Sequence, residues 1–172
     1  FADKLADVQA RGFLQCGVTE GVAGFSQPDA NNEWSGIDVD FCRAIASAIF
    51  NDPKAVRFTP TTSTNRWQTL TSGEVDVLAR TSTWTMSRDT SLGLKFAGII
   101  YYDGQGFIVN KKKFPTIKSA TELSGATICT QCGTTTELNI ADYFKSHKMD
   151  YKLLTFEKND EAISAYQDGR CD

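Results

Sequence analysis

Histidine is almost missing from this chain, and that scarcity narrows the chemistry before any motif is sought. The 172 residues contain one, His147, inside the charged run Lys145-Ser146-His147-Lys148, which reads as a solvated helix end. A histidine-rich zinc site and a histidine general base are therefore poorly supplied. Basic charge is not in excess either: 18 Lys and Arg against 21 Asp and Glu leave a net charge of −3. A polyanion binder needs a clustered surplus of cations, so nucleic acid is excluded as a partner. No apolar run approaches the roughly 20 residues that cross a bilayer. The opening Phe1-Ala2-Asp3-Lys4-Leu5 lacks the basic start and apolar core of a secretion signal. The chain is expected to be cytosolic or to have had its signal removed. No G-x-S-x-G, P-loop or dinucleotide fingerprint occurs. Asp38 and Asp40, two residues apart, do not share a helix face and read as helix-start acids. No catalytic set, metal site or cofactor is expected.

What the chain does have is an ordinary globular composition, 41% apolar and 23% charged, with length enough for a real core. Five cysteines, Cys16, Cys42, Cys129, Cys132 and Cys171, are many for a reducing compartment, and they read either as buried thiols or as disulfides. Cys129-Thr130-Gln131-Cys132 is a C-x-x-C ahead of a helical pattern, which keeps a thioredoxin-like oxidoreductase in view. The Thr-Gln between the cysteines is not a typical redox pair.

Hydrophobic patterning predicts strands alternating with helices. A strand at Gly12–Val18 ends in the Gly-rich stretch Glu20–Gly24. A helix follows from Ile37 to Phe50, with Ile37, Phe41, Ala44, Ile45, Ala48 and Ile49 at helical spacing. Asn51-Asp52-Pro53 stops it. Val56–Phe58 is a strand, Thr64 caps a helix through Leu70, and Val75–Ala79 is a third strand. Past the connector Asp103-Gly104-Gln105-Gly106 the cycle restarts with a strand at Phe107–Val109 and a capping box at Ser119–Glu122. A strand at Ala126–Thr130, a helix from about Thr134 to Phe144, a strand at Lys152–Phe156 and a helix at Asp160–Asp168 complete it. Gly169-Arg170-Cys171-Asp172 resembles Gly73-Glu74-Val75-Asp76, the turn before a strand. This alternation predicts an α/β protein with parallel sheets and ligands at the carboxyl ends of the strands. Two cycles predict two lobes, residues 1–103 and 104–172.

Two loops carry binding chemistry. Arg80-Thr81-Ser82-Thr83-Trp84-Thr85-Met86-Ser87-Arg88 follows a strand with hydroxyls and two guanidinium groups, and arginine grips a carboxylate with a fork that lysine lacks. Gln131-Cys132-Gly133-Thr134-Thr135-Thr136 follows another strand and opens a helix, where free N–H groups favour an anion. A lone threonine in such a place usually only caps its helix. Two such loops in matching positions point to a small carboxylate-bearing molecule.

These residues resemble a family. Gly36-Ile37-Asp38-Val39-Asp40-Phe41 with Ile45-Ala46 and Ile49, then Ser72-Gly73-Glu74-Val75-Asp76-Val77, Thr83, Arg88 and Gly133-Thr134-Thr135, look like the family 3 extracellular solute-binding proteins. The resemblance runs from about Leu5 to Asp172 and is strongest to the periplasmic general L-amino-acid-binding branch, through Thr83-Trp84-Thr85, Tyr101–Phe107 and Thr134–Leu138. It implies a type II periplasmic-binding fold closing on a free L-amino acid that is passed to an ABC-transporter membrane permease. It also implies that Arg88 takes the α-carboxylate with Thr83 and the N–H groups around Thr135. Thr81 serves the ammonium, while Arg80, Gln131, Gly133 and Thr136 lie near the ligand. Val22 stands where several relatives carry an aromatic clamp, and Ser63 opposite is also small, which implies broad specificity including polar and acidic side chains. The same pattern implies disulfides Cys16–Cys42 and Cys129–Cys171, with Cys132 left as a thiol. In the family the chain continues beyond the position of Asp172, so both lobes are expected to be incomplete, lacking the C-terminal part of the fold. A homodimer compensating for that part, with a binding or structural role other than transport, is the alternative. A dehydratase-like enzyme is a third reading, for which the loops offer no general acid.

Overall fold

The computed structural model describes residues 4–172, and Phe1, Ala2 and Asp3, read above for a secretion signal, lie outside the described residues. The chain divides into two compact units, one up to Ala97 and one from Gly98 to Asp172.

The first unit opens with helix α1 (Lys4–Arg11), which has no counterpart among the expected elements, and continues into strand β1 (Leu14–Thr19). Short strands β2 (Gln27–Pro28) and β3 (Trp34–Ser35) pair antiparallel, and helix α2 covers Ile37–Phe50. Strand β4 (Val56–Thr61), helix α3 (Arg66–Thr71), strand β5 (Val77–Leu78) and helix α4 (Met86–Ser91) follow. β1 lies in the middle, parallel to both neighbours in the order β4-β1-β5, with Leu14 opposite Val56 and Cys16 opposite Val77. Such a strand is covered on both faces, and β1 accordingly reads as Leu14, Cys16, Val18 and Thr19 buried together.

Helix α2 starts and stops where the sequence placed it, but a different face turns inward. Asp38, Val39, Cys42 and Ala46 are buried, while Ile37 and Phe41 are exposed. The small Ala46 permits close approach, and the bond between Cys42 and Cys16 of β1 fixes the helix rotation. Gly36, at the N-cap, has φ 121°, and a Cβ there would lie 2.2 Å from the Phe25 carbonyl oxygen, so this position requires glycine. Helix α3 corrects the expected cap. It begins after Asn65, whose side chain accepts from the Thr62 N–H at 2.9 Å, and Thr64 stands one residue too early to be the N-cap.

In the second unit, Phe107–Val109 forms no strand. Phe107 serves packing instead, resting against Tyr143 and Phe144 with ring centroids 5.8 and 6.1 Å away, while Ile108 is exposed. The capping box at Ser119 and Glu122 is present and holds a short 3-10 turn. Strand β6 (Thr127–Gln131), helix α5 (Thr135–Ser146), strand β7 (Lys152–Phe156) and helix α6 (Asn159–Gln167) follow, with β6 and β7 parallel in the register Thr127 to Lys152. The core is Leu123, Ala126, Ile128, Ile140 and Phe144.

Both disulfide pairings occur. The Cα atoms of Cys16 and Cys42 are 6.3 Å apart and those of Cys129 and Cys171 5.7 Å, both within normal disulfide reach. Cys132 keeps a free thiol, so the C-x-x-C closes no disulfide of its own.

The two units repeat one device. Asp76 donates its N–H to the Gln15 carbonyl and accepts the Gln15 N–H on its carboxylate, both at 2.8 Å. Asp172 does the same with Thr127, at 2.8 and 2.7 Å. The similar tetrapeptides Gly73–Asp76 and Gly169–Asp172 thus dock their last residue on the start of a neighbouring strand. Lys4 (2.9 Å) and Arg11 add ion pairs to Asp76, and Lys113 adds one to Asp172.

Candidate functional site

At the carboxyl ends of β1, β4 and β5 the chain leaves the first unit's sheet through three connections, and every candidate of that unit lies on one of them, Arg88 within α4. Val22 is on the loop after β1, Ser63 on that after β4, and Arg80, Thr81, Thr83 and Arg88 follow β5. This is where a parallel sheet offers its ligand surface.

The loop after β1 is tightly held. The Thr19 N–H donates to Ser26 Oγ and the Ser26 hydroxyl donates back to the Thr19 carbonyl, each at 3.0 Å. Val22 and Ser26 form a one-residue bridge. The Ile37 and Asp38 N–H groups at the start of α2 donate to the Gly24 and Phe25 carbonyls, both at 3.0 Å.

Arg80 is only 7% exposed. Its guanidinium donates to the Thr61 carbonyl at 3.0 Å and to the Thr62 carbonyl, and reaches Ser63 Oγ at 3.4 Å and Thr19 Oγ1 at 3.5 Å. It laces β1 and β4 together beneath the surface, and Ser63 is buried with it. Arg88 is half-buried. Its Nη1 donates to the Thr83 carbonyl at 2.9 Å, its Cζ lies 5.1 Å from the centre of the Trp67 ring, and its backbone N–H is capped by Thr85 Oγ1 at 3.2 Å. No acid among the described residues pairs with it. Thr81 and Thr83 are exposed.

A third guanidinium belongs here. Arg66, at 1% exposure, donates to the Thr81 carbonyl at 3.0 Å and to Ser82 Oγ at 3.1 Å, with its Cζ 4.6 Å from the Trp67 ring. Trp67 therefore carries two cations, and its edge meets Phe96, which stacks on Trp84 at 5.2 Å. Burial, followed by repulsion from Arg80 and Arg88, pushes Arg66 down to about 9. Burial also lowers Arg80, to about 10, with Asp38 and Glu20 opposing the shift. Burial alone lowers Arg88. Asp38, 2% exposed, is a buried acid within reach of the Arg80 charge, and burial raises its carboxyl to about 6 against the pull of Arg80.

In the second unit, Gln131 ends β6 and its amide donates to the Glu157 carbonyl at 2.8 Å. Gly133 has φ 68° and its N–H donates to the Glu137 carboxylate at 2.8 Å. Thr134 caps α5, accepting from the Glu137 N–H at 3.2 Å, while Thr135 and Thr136 begin the helix. Gln131, Thr134 and Thr136 also line a cavity of about 340 Å³ that runs past Cys129, Ile163 and Tyr166. No cluster of potential metal ligands occurs among the described residues, and no helix among them is long and apolar enough to cross a membrane.

Sequence reasoning missed Arg66 and the burial of Asp38. Arginine in a helix reads as surface by default. Asp38 left a signal, since it shares a face with Cys42 and Ala46 at spacings of four and eight.

Residues 14–169 match the family of bacterial extracellular solute-binding proteins, family 3. The chain belongs to this family. It is 56% identical over 171 residues to the general L-amino acid-binding periplasmic protein AapJ of Rhizobium johnstonii, covering 99% of this chain and 50% of that protein. It is 50% identical to the glutamate/glutamine/aspartate/asparagine-binding protein BztA of Rhodobacter capsulatus, again covering 99% and 50%. A solved periplasmic binding protein of an ABC transporter from Brucella ovis, with glutathione bound, superposes with a TM-score of 0.95 at 63% identity, covering 100% of this chain and 54% of that one. The chain thus spans about half the length of these relatives. The α/β fold with parallel sheets is that of periplasmic binding proteins, as the sequence implied.

Proposed function

We propose that this chain captures L-amino acids for an ABC importer in the periplasm, delivering them to a membrane permease. Arg88 carries the reading. It is a half-buried guanidinium with no acid pairing it among the described residues, held by the Thr83 carbonyl and the Trp67 ring, and its free donors suit a bidentate grip on an α-carboxylate. Thr83 assists it and Thr81 serves the ammonium. In the second unit by itself, the ligand-binding residues are Gln131, Gly133, Thr135 and Thr136 at the start of α5, with the Gln131 amide and the Gly133 N–H holding the loop's shape. Val22, small and partly exposed, leaves the side chain of the ligand loosely defined, which favours broad specificity, while Ser63, buried with Arg80, adds no bulk at that surface. Arg80 acts on acidic side chains through its charge, since it is buried and both its Nη groups are engaged within the fold. The role is binding without catalysis. The lobes of this receptor are residues 1–103 and 104–172, and the relatives lend no support to a self-paired alternative.

Isothermal titration tests the reading. Arg88→Ala is expected to abolish amino-acid binding while the circular dichroism spectrum stays native, and near-normal affinity would overturn it. A γ-glutamyl compound is a second ligand class, favoured by the glutathione in the Brucella ovis relative. Its γ-glutamyl end presents the same free carboxylate and ammonium as an amino acid. Titration with glutathione beside the common amino acids separates the two classes.

A further inference from the structure

Asp38 and Arg80 converge on one segment. The Asp38 N–H donates to the Phe25 carbonyl at 3.0 Å, and Arg80 reaches Thr19 Oγ1 at 3.5 Å, the two ends of the loop that carries Val22. Both side chains are more than nine-tenths buried. Each keeps a buried polar atom, Asp38 Oδ2 and Arg80 Nε, with no hydrogen-bond partner among the described residues. Every hydrogen-bond partner of Arg80 is a neutral oxygen, from Thr19, Thr61, Thr62 or Ser63. Among the groups facing this pair, Arg66 and Arg88 add positive charge, and Glu20, exposed at the end of β1, adds a screened negative one. Asp40, on the same helix as Asp38, points outward and pairs with Arg43 at 3.2 Å. Of the three guanidinium groups only Arg80 feels the Asp38 charge. It does so across the buried interior, since, among the described residues, these two side chains form no ion pair or hydrogen bond with each other.

We propose that Asp38 is the buried counter-charge of Arg80 and thereby a specificity-determining residue, setting how strongly the first unit prefers acidic over neutral amino acids. This rests on the ligand reading above. Asp38 need not touch the ligand. Its negative charge lowers the positive potential that Arg66, Arg80 and Arg88 present at the carboxyl ends of the strands, and removing it raises that potential. A ligand with a second carboxylate gains from the change, whereas its amide isostere does not.

The test is titration of the full chain with glutamate and glutamine at pH 7.5 and 5.5, for the wild type, Asp38→Asn and Asp40→Asn. Glutamate keeps its side-chain charge at both values. The wild-type preference for glutamate is expected to rise on acidification. Asp38→Asn should hold a preference about 5-fold above wild type at pH 7.5 and flat with pH. Asp40→Asn should match wild type. A parallel weakening of both ligands in Asp38→Asn, or an unchanged ratio, would overturn the proposal by reducing Asp38 to a structural part. Carbon-13 NMR of the Asp38 carboxyl, with the Arg80 Nε–H as reporter, covers a variant that does not fold. A common midpoint is expected, and independent titrations overturn the pairing. Should neither amino acid bind the wild type, the ligand reading fails, while the NMR titration still decides the pairing.

Discussion

The two units use the same strand–helix alternation but hold their candidate ligand groups by different physics. In the first, the connections after β4 and β5 bring three guanidinium groups together, two of them buried among neutral oxygens. Burying a cation is costly unless it is compensated, and here carbonyls, a tryptophan face and one buried carboxylate do so. The second unit has no cation at its loop. Its Gly133 N–H and the Thr134 cap are already engaged by Glu137, so the loop is rigid before any ligand arrives. Charge thus concentrates on one unit and fixed neutral dipoles on the other, and perturbations of each should differ in kind.

The disulfides give the largest expected effect. Cys16–Cys42 joins the central strand to α2 across a separation of 26 residues, and Cys129–Cys171 spans 42. Replacing either pair by serine should cost roughly 2–5 kcal/mol by denaturant titration. Loop entropy alone makes the longer closure worth about 0.4 kcal/mol more. Equal losses, or a greater loss at Cys16–Cys42, would mean that burial of the unpaired serines outweighs loop length.

The docked carboxylates sharpen the comparison. Burial alone would raise Asp76, yet the Gln15 N–H, Lys4 and Arg11 together hold it below the ordinary carboxylate range. Lys113 and the Thr127 N–H do the same for Asp172. Asp76→Asn should cost roughly 1.5–3 kcal/mol, since its side chain is 2% exposed and it bonds two cations. Asp172→Asn should cost less, because its single cation, Lys113, is largely exposed. The pH dependence separates these groups from Asp38. Lowered carboxyls stabilise the fold above pH 3.8, and that stability is lost as the pH falls through their folded values. Asp38 is raised from 3.8 to about 6, so its contribution is complete below pH 3.8 and lost as the pH rises through about 6. Melting curves of Asp38→Asn should therefore lack the wild-type decline between about pH 4 and 6, and those of Asp76→Asn should lose part of the acid-side fall.

Much of this was legible in the sequence. Helix α2, strand β7 and the Ser119 capping box stand where spacing put them, because each has local signals that packing did not override. The alternation of strand and helix placed Arg80 and Gly133 on loops at strand ends, whereas Arg88 lies within helix α4. What stayed illegible depends on contacts distant in sequence. Phe107–Val109 has strand propensity but forms no ladder: Phe107 packs on Tyr143 and Phe144 of α5, while Ile108 stays exposed. The inward face of α2 was misjudged because its burial follows Cys42 and a carboxylate rather than the isoleucines. Arg66 resembles a surface residue until the Thr81 carbonyl, 15 residues further on, is brought over it.

Helix caps give the smallest effect and the finest contrast between units. Thr134 Oγ1 accepts from Glu137 while its hydroxyl donates to the Gln131 carbonyl at 2.7 Å, so it ties α5 to the end of β6. Thr85 caps α4, a helix of six residues with no buried side chain. Thr134→Ala should therefore cost about 1 kcal/mol of stability, and Thr85→Ala about 0.5. Ligand affinity should rank them the other way. Thr85 holds the backbone N–H of Arg88 itself, so its loss loosens the group proposed to grip the carboxylate, whereas Glu137 still takes up the Gly133 N–H without Thr134. Denaturant titration and calorimetric binding on the two variants check both rankings. If Thr134→Ala lost more affinity than Thr85→Ala, the reading that the Arg88 guanidinium carries the grip on the carboxylate would be overturned.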